Sequence, residues 1–273
     1  MLFYAMKKIY ILIVGLCLSA VSAGGQTKEV TIETNVGTMK GILYDDVSNH
    51  VRTFTDRAGK GLYNGTLFTR VIPDFMIQGG APDSKNAPAG AQVGFGDRSA
   101  EILPEKSSAY FFKKGTIAAP RQNDEINPQK KSDMSQFFIV QGKVYREGEL
   151  DTLQRATNLP IRRKAMAEFY QPRKATMDSL KTADPKEYNR LVVEINQKVD
   201  SVIRATPGHL LFSEIQKEAY TTVGGSHHLD GQYTIYGEIT EGLHIIDRIA
   251  NQPRDGYDRP KKDIRIIRVS VHE

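Results

Sequence analysis

The chain of 273 residues has one cysteine, Cys17, and it lies within an apolar stretch near the N-terminus. With no second thiol there is no internal disulfide, and loss of that stretch would leave no thiol or redox chemistry at all. Long hydrophobic runs are also missing. The longest candidate, Ile9 to Leu18, is shorter than the roughly 20 residues a bilayer requires. No glycine loop leads into a Lys-Ser/Thr pair to cradle phosphate, and neither a nucleophile elbow nor a cysteine nucleophile is present downstream. Basic residues form no stripe interleaved with aromatics, so nothing in the pattern supports nucleic-acid binding. His227 and His228 are adjacent, which on a strand sends them to opposite faces, and His244 has no ligand spacing. No metal site and no cofactor are expected.

What is present begins with a leader. Lys7-Lys8 precede Ile9 to Leu18, followed by Ser19-Ala20-Val21-Ser22-Ala23 and then polar residues. This pattern predicts a secretory signal peptide over residues 1–23, cleaved after Ala23, and an exported product in the periplasm or cell envelope with no stable membrane span. The alternative is a lipid anchor at Cys17, which the bulky Leu16 before it disfavours. Removal of Lys7 and Lys8 lowers the formal charge from +5 to +3, a mild balance.

Val30 to Thr34 and Thr38 to Leu43 alternate as strands around Asn35-Val36-Gly37, an opening hairpin. Val51, Phe54 and Ala58 recur at helical spacing from Ser48, the expected N-cap, to Gly59. Residues 81–96 are rich in Gly, Pro and Asn and read as a surface loop. Gly115 to Ala119 and Met134 to Gly142 read as strands, the second with Gln136 and Phe138 on one face. After Gly224-Gly225 come an Asp-Gly turn, a strand to Ile239, a short helix from Leu243 to Ile249 and a last strand from Ile264 to Val271. Many antiparallel strands with two covering helices predict a closed β-barrel spanning 28–142 and 223–273.

Residues 143–222 differ, being highly charged and helical in period, and read as an α-helical insertion. Helical pieces are expected at 147–158 and 161–170. A longer helix runs from Pro185 to Arg204, with Asp184 as cap, Glu187 as capping-box partner, and Tyr188, Leu191, Ile195, Val199 and Val202 as its apolar stripe. Ser213 with Gln216 marks another start. The stripe serves either as a packing seam or as a site for a protein partner.

The most concentrated chemistry lies in Leu67 to Gly80. Two strand-like runs, Leu67 to Ile72 and Phe75 to Gln78, hinge at Pro73-Asp74. Strand alternation puts Phe68, Arg70 and Ile72 on one face, a guanidinium among large apolar groups. Taken alone, the segment reads rather as an edge-strand arginine whose stem lies on the core while its head reaches water.

Three motifs carry a resemblance. Phe68-x-Arg70-Val71-Ile72-Pro73-x-Phe75-Met76-Ile77-Gln78-Gly79-Gly80, Ser135-Gln136-Phe137-Phe138-Ile139 and Leu229-Asp230-Gly231-Gln232-Tyr233-x-x-Tyr236-Gly237 occur in family order, and the chain resembles a cyclophilin-type peptidyl-prolyl cis-trans isomerase. The loop with Arg121, Asn127-Pro128 and Ser132 is similar to bacterial members. The resemblance implies an eight-stranded antiparallel barrel capped by two α-helices, acting on proline-containing segments of folding proteins. It implies Arg70, Phe75, Gln78 and Phe138 as catalytic residues, and Met76, Arg121, Gln136, His228, Leu229 and Tyr233 as substrate-binding ones. His228 stands where many members carry Trp or Phe, which bears on binding of cyclosporin; Tyr233 replaces a common His, Arg121 a common Asn and Asp74 a turn Gly. Pro120 and Met134 are expected to reshape the groove. A peptide-binding holdase with little turnover is the alternative function.

Overall fold

The computed structural model describes residues 28–272, so the leader and Cys17 lie outside the described residues. Alternation in the first hairpin works as read. In β1 (Lys28–Thr34) and β2 (Gly37–Leu43), Val30, Ile32, Met39 and Leu43 turn inward, and the strands pair from Lys28↔Leu43 to Thr34↔Gly37. The other strands of the main sheet are β3 (Phe68–Ile72), β4 (Met76–Gly79), β6 (Thr116–Ala118), β8 (Phe137–Val140), β9 (Ile235–Glu241) and β10 (Ile266–His272). Two short strands, β5 (Glu101–Ile102) and β7 (Ser132–Asp133), pair separately. The helices are α1 (Ser48–Gly59), α2 (Glu149–Tyr170), α3 (Lys174–Ala183), α4 (Pro185–Ala205), α5 (Glu214–Thr222) and α6 (Leu243–Ala250).

The main sheet has eight strands in the order β10-β1-β2-β9-β6-β8-β4-β3, and its pairings are antiparallel. It is a half-barrel. The expected closure is not found: β3 and β10 form no ladder and meet only at the bridge Leu67↔Arg265, with backbone bonds such as Phe68 N–H to Ile264 O (2.9 Å) beside it. β3 is short and its outer edge is taken up by the irregular 258–266 segment, whose Asp258 carbonyl accepts from Val71 N–H. Inside the curve, α1 contributes Val51, Phe54 and Ala58, and α6 contributes Ile245, Ile246, Ile249 and Ala250. Each large apolar side chain so buried is worth about 1.5–3 kcal/mol.

The start of α1 departs from the sequence reading. Ser48 is not the N-cap; Val47 takes that position and offers no side-chain acceptor. Glu105 caps instead from a distance: its Oε1 accepts from Asn49 N–H (3.2 Å) and its Oε2 from His50 N–H (2.9 Å). The same carboxylate lies 2.6 Å from His50 Nδ1, and His50 Nε2 lies 2.9 Å from Ser132 Oγ. His50 and Ser132 are both buried, so this Ser-His-Glu chain cannot reach a substrate and acts as a structural tie.

Between β8 and β9, α2 runs unbroken through Pro160, where the sequence suggests two pieces. Proline removes one backbone bond, but Ile161 and Ala165 on its far side pack with Ile195 and Val199 of α4, which holds the helix together. Asp184 caps α4 by accepting from Glu187 N–H (3.1 Å), whereas the Glu187 carboxylate turns to Arg190 rather than back to the cap. Helix α3 carries too weak a signal to have been read. The capping box Ser213/Gln216 on α5 is complete. The chain leaves and re-enters the sheet at one point, where Lys143 and Gly225 exchange backbone bonds at 3.0 Å. A side chain at Gly142 (φ +71°) would begin within 2.6 Å of the Gly225 backbone, so the approach requires glycine there. Among the described residues no helix is long and apolar enough to cross a membrane.

Burial, outweighing the Glu105 hydrogen bond and charge, holds the His50 imidazole below its ordinary value of 6.5. Burial also opposes the Glu105 charge, yet bonds from the His50 ring and amide and from Asn49 N–H leave that carboxyl below 4.5. Unfolded His50 therefore takes up a proton that the folded ring refuses, and folded Glu105 gives up a proton that the unfolded carboxyl keeps. Stability from His50 should be full above pH 6.5 and decline as pH falls below it; that from Glu105 should be lost at still lower pH, through its folded pKa. Urea midpoints measured from pH 8 down to about pH 2 should fall in these two windows, and His50→Gln should remove the first.

Candidate active site

Register decides what β3 shows to solvent. Phe68 pairs with Gly79 and Arg70 with Gln78, so Thr69 is an extra residue, a β-bulge. Phe68 and Val71 consequently both enter the main core, while Arg70 and Ile72 face outward. Phe68 and Arg70 do not share a face, contrary to simple alternation. The turn that follows has a φ of +60° at Asp74 and Phe75 N–H on Ile72 O (3.2 Å), the demand of a type II turn on its third residue. Asp74 N–H is tied to Gln141 Oε1 at 2.7 Å.

A pocket of about 80 Å³ opens on this outer face, lined by Arg70, Phe75, Met76, Gln78, Phe138, Leu229 and Tyr233, with Pro120 and Arg121 at its rim. Phe138 comes from β8 beside β4, since Gln78 pairs with Phe138. Leu229 ends a single helical turn at residues 227–229. Phe112, unnoticed in the sequence, backs the pocket: its ring stacks on Phe138 at 6.0 Å and meets Tyr233 edge-on at 6.5 Å. Larger space does not mark the chemistry. A cleft of about 540 Å³ lies among α2, α4 and Leu211 and includes none of these residues.

The Arg70 head, 46% exposed, lies 3.7 Å from Asp258 Oδ2. An ion pair this exposed is worth at most about 1 kcal/mol, so Asp258 draws the guanidinium weakly to its side and leaves its donors free. Asp258 itself has φ +64° and also binds Arg254 at 2.9 Å. Among the described residues Arg70 has no hydrogen bond to Gln78 or Gln136, so neither glutamine orients it.

The glutamines belong to a separate relay. Gln136 Nε2 donates to Asp133 Oδ2 (3.0 Å), and Gln78 Nε2 donates to Gln136 Oε1 (3.0 Å). A carboxylate only accepts, so Asp133 sets the orientation of both amides and leaves the Gln78 carbonyl oxygen as the free end. Ser135 in turn donates to Asp133 Oδ1 through its backbone N–H (2.9 Å) and its hydroxyl. A second pocket, about 210 Å³, adjoins along this relay between Arg70 and Gln136 and is edged by the exposed Phe95 and Arg98.

The remaining expected residues fall as follows. The Arg121 side chain lies over the Tyr233 ring at 4.7 Å and is pinned by Gln232 O (3.2 Å) and Asp124 (2.6 Å), so it builds the rim rather than reaching inward. His228 packs on Phe75 at 5.2 Å but does not line the pocket. Met134 is fully buried in the main core and does not shape the groove. Asp258 was missed because it reaches Arg70 from far downstream; Asp133 was missed although its contacts are local, two residues to Ser135 and three to Gln136, a short-range Asp-x-Ser-Gln pattern that could have found it.

The family model described as "Cyclophilin type peptidyl-prolyl cis-trans isomerase/CLD" matches residues 29–158 and 175–271. A candidate peptidyl-prolyl cis-trans isomerase of Staphylococcus haemolyticus is 26% identical over 90% of this chain and 91% of its own length. A candidate bifunctional phosphatase/peptidyl-prolyl cis-trans isomerase of Streptococcus pyogenes is 25% identical over 90% of this chain, which spans only 39% of that protein. The crystal structure of a Cryptosporidium parvum cyclophilin type isomerase superposes with a TM-score of 0.51 at 16% identity, covering 91% of this chain and 99% of the other. The same protein crystallised in the presence of the dipeptide Ala-Pro gives 0.50 at 17%. At such identity the likeness speaks for the fold.

If Asp133 orients the relay, Asp133→Ala should free both amides. The side-chain NH₂ signals of Gln136 and Gln78 in a ¹⁵N spectrum should then move toward free-amide positions and exchange faster with water. Unchanged signals would mean that Asp133 does not hold them.

Proposed function

Since the chain belongs to the cyclophilin-type peptidyl-prolyl cis-trans isomerase family, we propose that Arg70 drives rotation about X-Pro bonds in proline-containing segments of exported proteins. The observation that carries this reading is a half-exposed guanidinium beside Asp258, at the lip of a small pocket of about 80 Å³ walled by Phe75, Met76, Phe138, Leu229 and Tyr233.

Partial double-bond character gives an X-Pro bond a barrier of ~18–20 kcal/mol, so unaided rotation takes tens to hundreds of seconds. Rotation breaks the conjugation and leaves lone-pair density on the prolyl nitrogen. A guanidinium is charged at any working pH and offers a fixed fork of donors, which suits it to meet that density. The planar ground state lacks it, so the bond forms mainly in the transition state and raises kcat. Each tenfold of rate needs about 1.4 kcal/mol, which desolvation under a bound peptide and one such bond supply without any acid, base or nucleophile.

In this scheme Phe75, Met76, Phe138 and Leu229 grip the proline ring and Tyr233 closes the far wall, while His228 supports Phe75 from outside the pocket. The free Gln78 oxygen accepts from a peptide N–H of the substrate, and Gln136 holds Gln78. The Ala-Pro dipeptide with which the Cryptosporidium parvum isomerase was crystallised supports a proline ligand of this kind. Export rests on the leader pattern of residues 1–23.

Two measurements test the proposal. Arg70→Ala should lower kcat/KM on a proline tetrapeptide by roughly a hundredfold to a thousandfold, the usual loss of a transition-state donor, with an unchanged unfolding midpoint. Equal rates for the variant and the parent would sink the catalytic role. The mass of the protein recovered from secreting cells should correspond to a chain starting at Gly24; a lipid adduct on Cys17 would replace cleavage after Ala23 by anchoring.

A further inference from the structure

The helices between β8 and β9 are joined to the proline pocket through one carboxylate. Asp230 directly follows Leu229, the pocket wall, and its Oδ1 accepts from Phe112 N–H at 2.8 Å. Its Oδ2 accepts from the Tyr220 hydroxyl at 2.7 Å and from Gln216 Nε2 at 3.2 Å, both on α5. Phe112 is the residue whose ring backs Phe138 and Tyr233. Asp230 therefore grips the support of the pocket with one oxygen and α5 with the other.

The contact is built rather than incidental. Tyr220 is fully buried, and its ring rests against Gly225, where any Cβ would come within 2.3 Å of it. Around it stand Phe111 (5.6 Å), Tyr145 (6.2 Å) and Phe212 (6.0 Å), and the same cage meets His227 edge-on from Phe212 at 5.4 Å and from Tyr145 at 5.5 Å. His227 opens the turn that carries His228 and Leu229. Gln216 is held in place by the capping box of α5, whose Ser213 N–H donates to Gln216 Oε1 at 2.9 Å. That bond turns the Gln216 amide nitrogen toward Asp230. Burial raises the Asp230 carboxyl above its ordinary value, and the three donors work against that rise.

We propose that Tyr220 and Gln216 are positioning residues for the isomerase site, holding the Leu229 wall of the proline pocket in place through Asp230. This rests on the isomerase reading given above. It makes α5 part of the active site's support, so the helical segment is not an independent appendage. Arg70 stands on β3 with its own partner, Asp258, and is untouched by this linkage. The effect should therefore fall on substrate binding and spare the chemical step.

The test is steady-state isomerase kinetics on a proline tetrapeptide with the full chain. Tyr220→Phe keeps the ring and removes only the hydroxyl; KM should rise about tenfold, consistent with a sub-ångström shift of the wall, with kcat within about twofold and the thermal midpoint preserved. Tyr145→Phe, in the same cage but without a bond to Asp230, is the packing control and should match the parent. Gln216→Met removes the second donor and should raise KM in the same direction. A folded Tyr220→Phe protein with the parent's KM overturns the proposal; if that variant does not fold, a parental KM for Gln216→Met overturns it. An inactive parent would instead contradict the isomerase reading, which separates the two failures.

Discussion

One extra residue in β3 makes the groove possible. A strand of regular alternation would send Arg70 to the same side as Phe68, into the packed interior, where an unpaired guanidinium would cost several kcal/mol. The bulge at Thr69 lets Phe68 and Val71 both fill the core while Arg70 and Ile72 point out. The short strand thereby satisfies two demands that alternation sets against each other. Everything on the outer face is positioned by reference to it: Gln78 lies opposite Arg70, and Phe138 lies opposite Gln78.

Around that strand, carboxylates rather than catalytic bases do the arranging. Asp258 draws Arg70 to its side, Asp133 sets the two glutamine amides, Asp230 clamps the pocket wall to α5, and Glu105 caps α1 while holding His50. Each is an acceptor with a defined set of donors, so each fixes orientations that neutral groups would leave free. None stands within reach as a nucleophile or proton shuttle. This suits a rotation that needs no covalent step, only a preorganised donor and a dry surface for the ring.

Much of the fold was legible in the sequence. The β1–β2 hairpin, the stripe on α4 with its Asp184 cap, the capping box of α5 and the placing of both Gln136 and Phe138 along the groove all follow from local periodicity and short-range chemistry. Apart from Asp133, whose bonds to Ser135 and Gln136 are local, what escaped depends on distance along the chain. Glu105 caps a helix more than fifty residues earlier, and Asp258 reaches Arg70 from far downstream. The bulge, the unzipped β3–β10 edge and the continuity of α2 through Pro160 are settled by neighbours that no window of sequence contains.

By itself the sequence picked out Arg70, Phe75, Gln78, Gln136, Phe138 and Leu229, which occur in spaced motifs with no nucleophile among them and which the fold gathers around one groove. Their types carry the chemistry: a permanent cation, apolar rings and neutral amides. Only the tertiary structure decided how they are held: that Asp258 and not a glutamine stands beside the arginine, that Arg121 is pinned at the pocket rim over Tyr233, that Met134 lies in the core, and that α5 reaches the pocket wall through Tyr220 and Asp230. The reason is physical. Side-chain identity is written locally, but orientation is set by hydrogen bonds, ion pairs and ring contacts with partners that only folding brings together.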